Sequence, residues 1–264
     1  MSPDPAELER VAVAACRAGM AVLRSGRGTP RRVAFKGERL NIVTDADLDS
    51  EAAILDVIGA ARPDDGVISE ERPATAGTTG LSWLIDPLDS TANYARDIPI
   101  YSVSIAVRDE ARVLAGAVGD PERDVVYSTA RHAGEVRVDG VAAQPRHVSD
   151  PRRALALFGV SRHGAPGHPR TAIVPATLIG LFGKVRSPGS PALGLAWVAA
   201  GRADLAYYEM DFNDWDVSAG ALLCQEAGLS VTLSAPLADG LGRRLLAGVP
   251  ELVGLVRGPL DGSA

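Results

Sequence analysis

The segment Trp83-Leu-Ile-Asp-Pro-Leu-Asp-Ser-Thr-Ala-Asn-Tyr94 constrains this chain more than any other stretch. The apolar run at 81–85 has the length and make-up of a buried strand. It leads into two carboxylates, Asp86 and Asp89, with Pro87 between them fixing φ and denying the segment a helical start. Ser90 and Thr91 then bring hydroxyls and backbone N–H groups to what reads as the entrance of a short helix or turn. A buried strand, a stiff acidic turn and a hydroxyl-bearing turn predict hard oxygen ligands for metal ions beside donors for a phosphate.

A strand this apolar needs cover on both faces, and 264 residues can supply it. Apolar spacing predicts a helix over 5–25, with Asp4 as N-cap and Pro5 at its first position, and another over 46–61. A short strand is expected at 33–35 and one at 66–71. Residues 101–107, 112–118, 124–129 and 135–138 read as successive antiparallel strands. The second half alternates: strands at 154–160, 183–186, 203–208, 229–233 and 244–248, helices at 191–200 and 214–226, and a last helix from Pro250. The stretch 161–169, with two glycines and two prolines, reads as a mobile loop. The order is an antiparallel α+β half followed by strand–helix alternation.

Bulk properties remove several functions. A net charge of −6 argues against a general polyanion binder, so no nucleic-acid partner is expected. Cys16 and Cys224 each lie in an apolar helical pattern and read as small core hydrophobes. The opening Pro3-Asp4-Pro5, followed by Glu7 and Glu9, lacks the basic-then-apolar pattern of a secretory signal. No apolar run approaches the roughly 20 residues that span a bilayer. A cytoplasmic protein without membrane contact is expected. The chain carries 25 Arg but only two Lys, Lys36 and Lys184, so a retained lysine draws notice.

Other acids stand at element ends. Asp45 and Asp47 open a helix, Glu70 and Glu71 close a strand, and Asp214 and Asp216 open another helix. Alone, Asp45, Asp47 and Asp216 are explained as caps or first-turn acids complementing a helix dipole. Together with Asp86 and Asp89 they form a set that would repel itself without cations, and that suits two or three Mg²⁺ ions bridged by a phosphate.

These blocks carry a resemblance. Trp83-Leu-Ile-Asp-Pro-Leu-Asp-Ser-Thr-Ala-Asn93 resembles the signature W-(I/V)-I-D-P-(I/L)-D-G-T-x-N of the inositol monophosphatase family of Mg²⁺-dependent, lithium-sensitive phosphatases. Trp215-Asp-Val-Ser-Ala-Gly220 resembles its second signature, W-D-x-A-A-G. Asn41-Ile-Val-Thr-Asp-Ala-Asp47, Ile68-Ser-Glu-Glu71 and Gly189-Ser-Pro-Ala-Leu193 match further blocks in the same order. The joint spacing covers nearly the whole chain.

The resemblance implies a layered α-β-α-β-α sandwich with two halves. Residues 1–145 would carry most metal ligands, and residues 146–264 would carry Asp216 and the substrate contacts. It implies one metal held by Glu70, Asp86 and the Leu88 carbonyl, a second by Asp86, Asp89 and Asp216, and a third, weaker one by Glu70 and waters. Thr91, oriented by Asp47, would position the attacking water, with Glu70 also counted among the catalytic groups. The N–H groups of Ser90 and Thr91 would hold phosphate oxygens. Gly189, Ser190 and Glu209 would meet the hydroxyl-bearing part of the substrate, and Lys36 would stand near the metals. A homodimer is the family's usual state.

The expected activity is hydrolysis of a small polyol, sugar or amino-alcohol phosphate. A histidinol-phosphate or secondary-metabolite phosphatase of the same family is the alternative, and a non-catalytic regulatory member is a further one. Ser90 and Ser69 stand where the family carries Gly, Gly194 where many relatives carry Asn or Asp, and Asp211-Phe-Asn-Asp214 is unusually acidic. Ser90 is expected to cost about 1 kcal/mol if its position needs φ > 0.

Overall fold

The computed structural model describes residues 3–28, 33–36, 41–143, 145–160, 168–237 and 242–261, giving the backbone alone for 33–36, 41–43 and 261. Helix α1 (Pro5–Ser25) starts as expected, Asp4 accepting from the Ala6 N–H at 3.0 Å. Strands β1 (Val33–Lys36) and β2 (Asn41–Thr44) form an antiparallel pair, and α2 (Asp45–Ala61) follows directly. Next come β3 (Gly66–Ser69), β4 (Ser82–Asp89), the one-turn α3 (Thr91–Tyr94), β5 (Ser102–Arg108) and β6 (Val113–Asp120). Strands β7 (Val125–Ala130), β8 (Arg137–Val138) and β9 (Val141–Ala142) complete a seven-stranded sheet in the order β3-β4-β5-β6-β7-β8-β9. Only β3 and β4 pair in parallel within it.

The second half runs β10 (Leu155–Val160), α4 (Arg170–Leu181), β11 (Lys184–Arg186), α5 (Pro191–Ala199), β12 (Leu205–Met210), α6 (Asp214–Glu226), β13 (Ser230–Leu233), β14 (Arg243–Gly248) and α7 (Pro250–Asp261). Its five-stranded sheet has the order β11-β10-β12-β14-β13.

Strand alternation sorts the core into layers. Trp83, Ile85, Val103, Ile105 and Ala117 face α1 and α2 on one side of the large sheet. Leu84, Ala106 and Val118 face the other way, onto Leu193 and Leu195 of α5 and Val217 and Leu223 of α6. Those two helices lie on the inner face of the small sheet, against Ala206, Tyr208 and Leu245. Its outer face, with Ala156, Leu205, Tyr207 and Leu246, is covered by Val174 and Leu178 of α4 and by Leu252 and Val256 of α7. The result is the expected α-β-α-β-α sandwich. The α5–α6 layer is tight, because a Cβ at Gly220 would stand 2.5 Å from the Cβ of Leu195.

Helix α4 was not expected from the sequence. Pro175 interrupts its pattern, but Arg170, Val174 and Leu178 recur every fourth residue and are buried, so packing overrides the local signal. Strands β2 and β9 were also unexpected, being short enough that only their partners define them. Residues 161–167 of the expected mobile loop lie outside the described residues.

Candidate active site

Asp86 and Asp89 are three residues apart, so on a regular strand they would point to opposite faces. The β4–β5 register shifts between them, where Pro87 interrupts the ladder. Both carboxylates therefore face the α5–α6 layer. Asp86 is buried, and burial together with the nearby Glu70, Asp89 and Asp216 holds its pKa well above the usual carboxylate range. Burial pushes Asp89 up to about 6 against hydrogen bonds from Ser190, Ala192, Ser102 and Leu193. Asp216 is raised by burial and by Asp89, Glu70 and Asp211, against a hydrogen bond from the Asn213 backbone. Each acid makes the next harder to ionise.

Two of the acids do double duty. Asp47 and Asp216 both occupy the third position of a helix, and both close a capping box. The Oδ2 atom of Asp47 accepts from the backbone N–H and the hydroxyl of Thr44 at 2.7 and 2.6 Å, while its Oδ1 accepts from the Thr91 hydroxyl at 2.9 Å. In Asp216 the Oδ2 atom accepts from the Asn213 N–H at 2.6 Å. The capping and the functional readings of these residues are therefore compatible, since a carboxylate has two oxygens. The Thr91 hydroxyl also lies 3.2 Å from the Leu88 carbonyl, and the Leu88 N–H donates to Asp86 at 3.0 Å.

Ser90 has φ 76 and ψ 55, the left-handed region expected of a glycine there. Its hydroxyl lies near Gly189, itself at φ 96, where an added Cβ would come within 3.4 Å of the Ser90 Oγ. Gly189 is thus brought to the acidic turn, tied there by Asn93 Nδ2 donating to the Pro188 carbonyl at 3.0 Å.

Two expected substrate contacts have partners within the fold. Ser190 is fully buried and caps α5, and its hydroxyl donates to Asp89, so that side chain positions a carboxylate. Glu209 lies two residues beyond Tyr207 on β12 and shares its outward face, away from the α5–α6 layer. Arg170 reaches both of its oxygens at 2.9 and 2.6 Å, and Arg244 and the Tyr207 hydroxyl add contacts at 2.9 and 2.5 Å. Its acceptor capacity is spent inside the fold. The side chain of Lys36 lies outside the described residues.

Several pairings could not be read in the sequence. Ser102 donates to Asp89 at 3.1 Å and meets the Ser190 hydroxyl at 3.0 Å. Glu51, buried on α2, accepts from Ser69 and, at 2.8 Å, from Arg72, so the serine in the usual glycine's place anchors the residue before Glu70. Asp214 bridges Arg108 and Arg243 at 2.8 and 3.5 Å beside Asp216. Gly194 leaves room for Tyr208, whose hydroxyl would stand 1.9 Å from a Cβ there. Only register and helix packing create these pairs.

Four neighbouring carboxylates, three of them with raised pKa, form a hard-oxygen donor set of the kind Mg²⁺ prefers. Among the described residues no three acids stand at ligating distance as they are, and oxygens of Asp216 and Asp89 accept from the backbone N–H groups of Asn213 and Ala192. The donor chemistry fits a divalent cation.

Comparison with known proteins shows the family. The model of the inositol monophosphatase family matches residues 4–251. The inositol-1-monophosphatase SuhB of Mycobacterium tuberculosis is 35% identical over 241 residues, covering 88% of this chain and 81% of that protein. The Nus factor SuhB of Salmonella typhimurium is 36% identical over 228 residues, covering 83% and 82%. Among solved structures, the extragenic suppressor protein SuhB from Bartonella henselae superposes with a TM-score of 0.88 at 25% identity, covering 98% of this chain and all of the other. On fold, signature order and overall likeness, the chain belongs to the inositol monophosphatase family.

Proposed function

We propose that this chain is a Mg²⁺-dependent phosphomonoesterase that hydrolyses a small polyol, sugar or amino-alcohol phosphate, working as a cytoplasmic homodimer. The observation that carries the reading is the joining of the acidic cluster to the Thr91–Asp47 pair through the turn at 86–91. Glu70, Asp86, Asp89, Asp216 and the Leu88 carbonyl would hold two or three ions. When bound, the ions supply Lewis acidity to the phosphoryl oxygens and lower the pKa of water.

The chain's own residues supply the rest. The Thr91 hydroxyl donates to Asp47, which leaves its oxygen lone pairs to accept from a water and aim it at phosphorus. As that water attacks, its proton passes to Thr91 while the Thr91 proton moves to Asp47; the P–O bond to the ester oxygen breaks, and the departing alkoxide takes a proton from solvent water to leave as the alcohol. Glu70, half-buried at the end of β3, borders the same space and accepts from the water's other hydrogen. The N–H groups of Ser90 and Thr91 would meet phosphate oxygens, and Gly189, beside Ser90, would border the ester's alcohol part.

Phosphate release tests the reading. Turnover should require Mg²⁺, stop with EDTA and fall with Li⁺. Asp86→Asn retaining wild-type turnover would overturn the reading. A panel of inositol, histidinol and sugar phosphates identifies the ester.

The name of the Salmonella relative favours a second reading, a partner-binding role. That reading takes over if no ester in the panel is hydrolysed with Mg²⁺ present. Among the described residues no helix is long and apolar enough to cross a membrane.

A further inference from the structure

Glu209 is fully buried yet lies on the wrong face of the small sheet to serve the acidic cluster, and its surroundings indicate another use. A cavity of about 200 Å³ opens on that outer face, lined by Tyr207, Thr232, Ser234, Arg244, Leu246 and Arg257. None of these residues belongs to the acidic site, and β12 separates the two, with Tyr208 facing the α5–α6 layer.

Its two guanidiniums are held in different ways. Arg244 donates from Nε to the Glu209 carboxylate at 2.9 Å. Burial would raise the pKa of Glu209, but hydrogen bonds from Arg170 and Tyr207 outweigh it and lower it to about 2, so the anchor stays charged. Arg257, on α7, donates to the Thr232 hydroxyl at 2.6 Å and has no carboxylate partner among the described residues. Because the Thr232 oxygen accepts that bond, its own hydrogen is left to donate. Two arginines and a donor hydroxyl thus line one small space, and among the described residues the carboxylate that meets this lining, Glu209, is shared between Arg170 and Arg244.

Guanidinium forks match the oxygens of phosphate and carboxylate. Donors from two strands and a helix surround the ligand on several sides, an arrangement suited to a tetrahedral ion more than to a planar one. The volume is too small for a peptide helix. We propose that this cavity binds a small tetrahedral dianion, phosphate itself or the terminal phosphate of a compact ester, between Arg244 and Arg257.

Isothermal titration of the full chain with inorganic phosphate, in EDTA, tests this. Without cations the acidic cluster repels phosphate, so binding there does not compete. One saturable site is expected in the wild type. It should be retained in Asp86→Asn and weakened at least tenfold in Arg257→Gln, an exposed position whose change leaves the core intact. No saturable binding, equal binding in Arg257→Gln, or loss in Asp86→Asn overturns the proposal. A parallel titration with 2-glycerophosphate distinguishes the sources: tighter binding than phosphate assigns an ester, weaker binding assigns the free ion. Because the readout is binding without metal, its failure leaves the phosphatase reading untouched, and the reverse holds as well.

Discussion

The molecule buries acidic side chains in two places and treats them in opposite ways. On the inner side, Asp86, Asp89 and Asp216 crowd together near Glu70; burial raises the pKa of all three, and neighbouring acids add to the rise at Asp86 and Asp216. On the outer side, Glu209 is buried as deeply but is held by Arg170, Arg244 and Tyr207, and its pKa falls to about 2. Among the described residues, Glu209 is met by two guanidiniums, whereas Asp86, Asp89 and Asp216 are met by hydroxyls and backbone N–H groups. A structural carboxylate brings its counter-charge in the sequence, whereas a functional one leaves that place for a ligand.

The largest expected effect separates the two regions by activity. Asp86→Asn should lower kcat/KM by on the order of 10³-fold, since several kcal/mol of charge stabilisation rest on the bridging carboxylate. The same change should raise the melting temperature in EDTA, because it removes one of the repelling charges. A lower melting temperature would mean that the cluster is not frustrated.

Glu209→Gln should do the reverse. Two guanidiniums lose their buried partner, at a cost of about 3 kcal/mol in denaturant unfolding. Turnover of the folded variant should keep its KM within about twofold, as the side chain faces away from the site. The sign with pH follows from the lowered pKa. The advantage of wild type over Glu209→Gln is fully present above about 4.5 and is lost as pH falls from there toward 2. A gap that stays constant across that window would break the contrast between the regions.

Ser190→Ala is a smaller change on the inner side. Asp89 loses a buried donor, so unfolding free energy should drop by about 1–2 kcal/mol, and the Mg²⁺ concentration for half-maximal turnover should rise. A raised substrate KM with unchanged Mg²⁺ dependence would restore a substrate role to that hydroxyl. Smallest of all, Ser90→Gly should stabilise the chain by about 1 kcal/mol or less by relieving a left-handed φ, and should widen acceptance of bulkier esters. An unchanged substrate profile would remove Ser90 from specificity.

The two regions were not equally legible in the sequence. The inner acids announce themselves because their ligand chemistry demands fixed local spacing: a proline-stiffened turn, a hydroxyl after it, and acids at helix starts. Helices α1 and α6 have the bounds that periodicity and capping residues predict. The outer cluster gives no such signal. Arg170 lies on α4, which the sequence hides behind Pro175, and it meets Glu209 39 residues away. A glutamate beside two tyrosines on a strand looks the same whether it faces in or out, until the strand's register is known.

The sequence by itself determined most of the element order and the candidate inner carboxylates, and the family resemblance of its short blocks implied the layered class. Those depend on local periodicity and on short segments whose residues are neighbours along the chain. Only the tertiary structure decided which oxygen of each acid is spent. One oxygen of Asp47 and one of Asp216 go to helix caps, Ser190 and Ser102 go to Asp89, and Glu209 goes to two arginines. Those choices follow from strand register and from the α5–α6 contact, where direction and distance are set by packing between segments far apart in the chain.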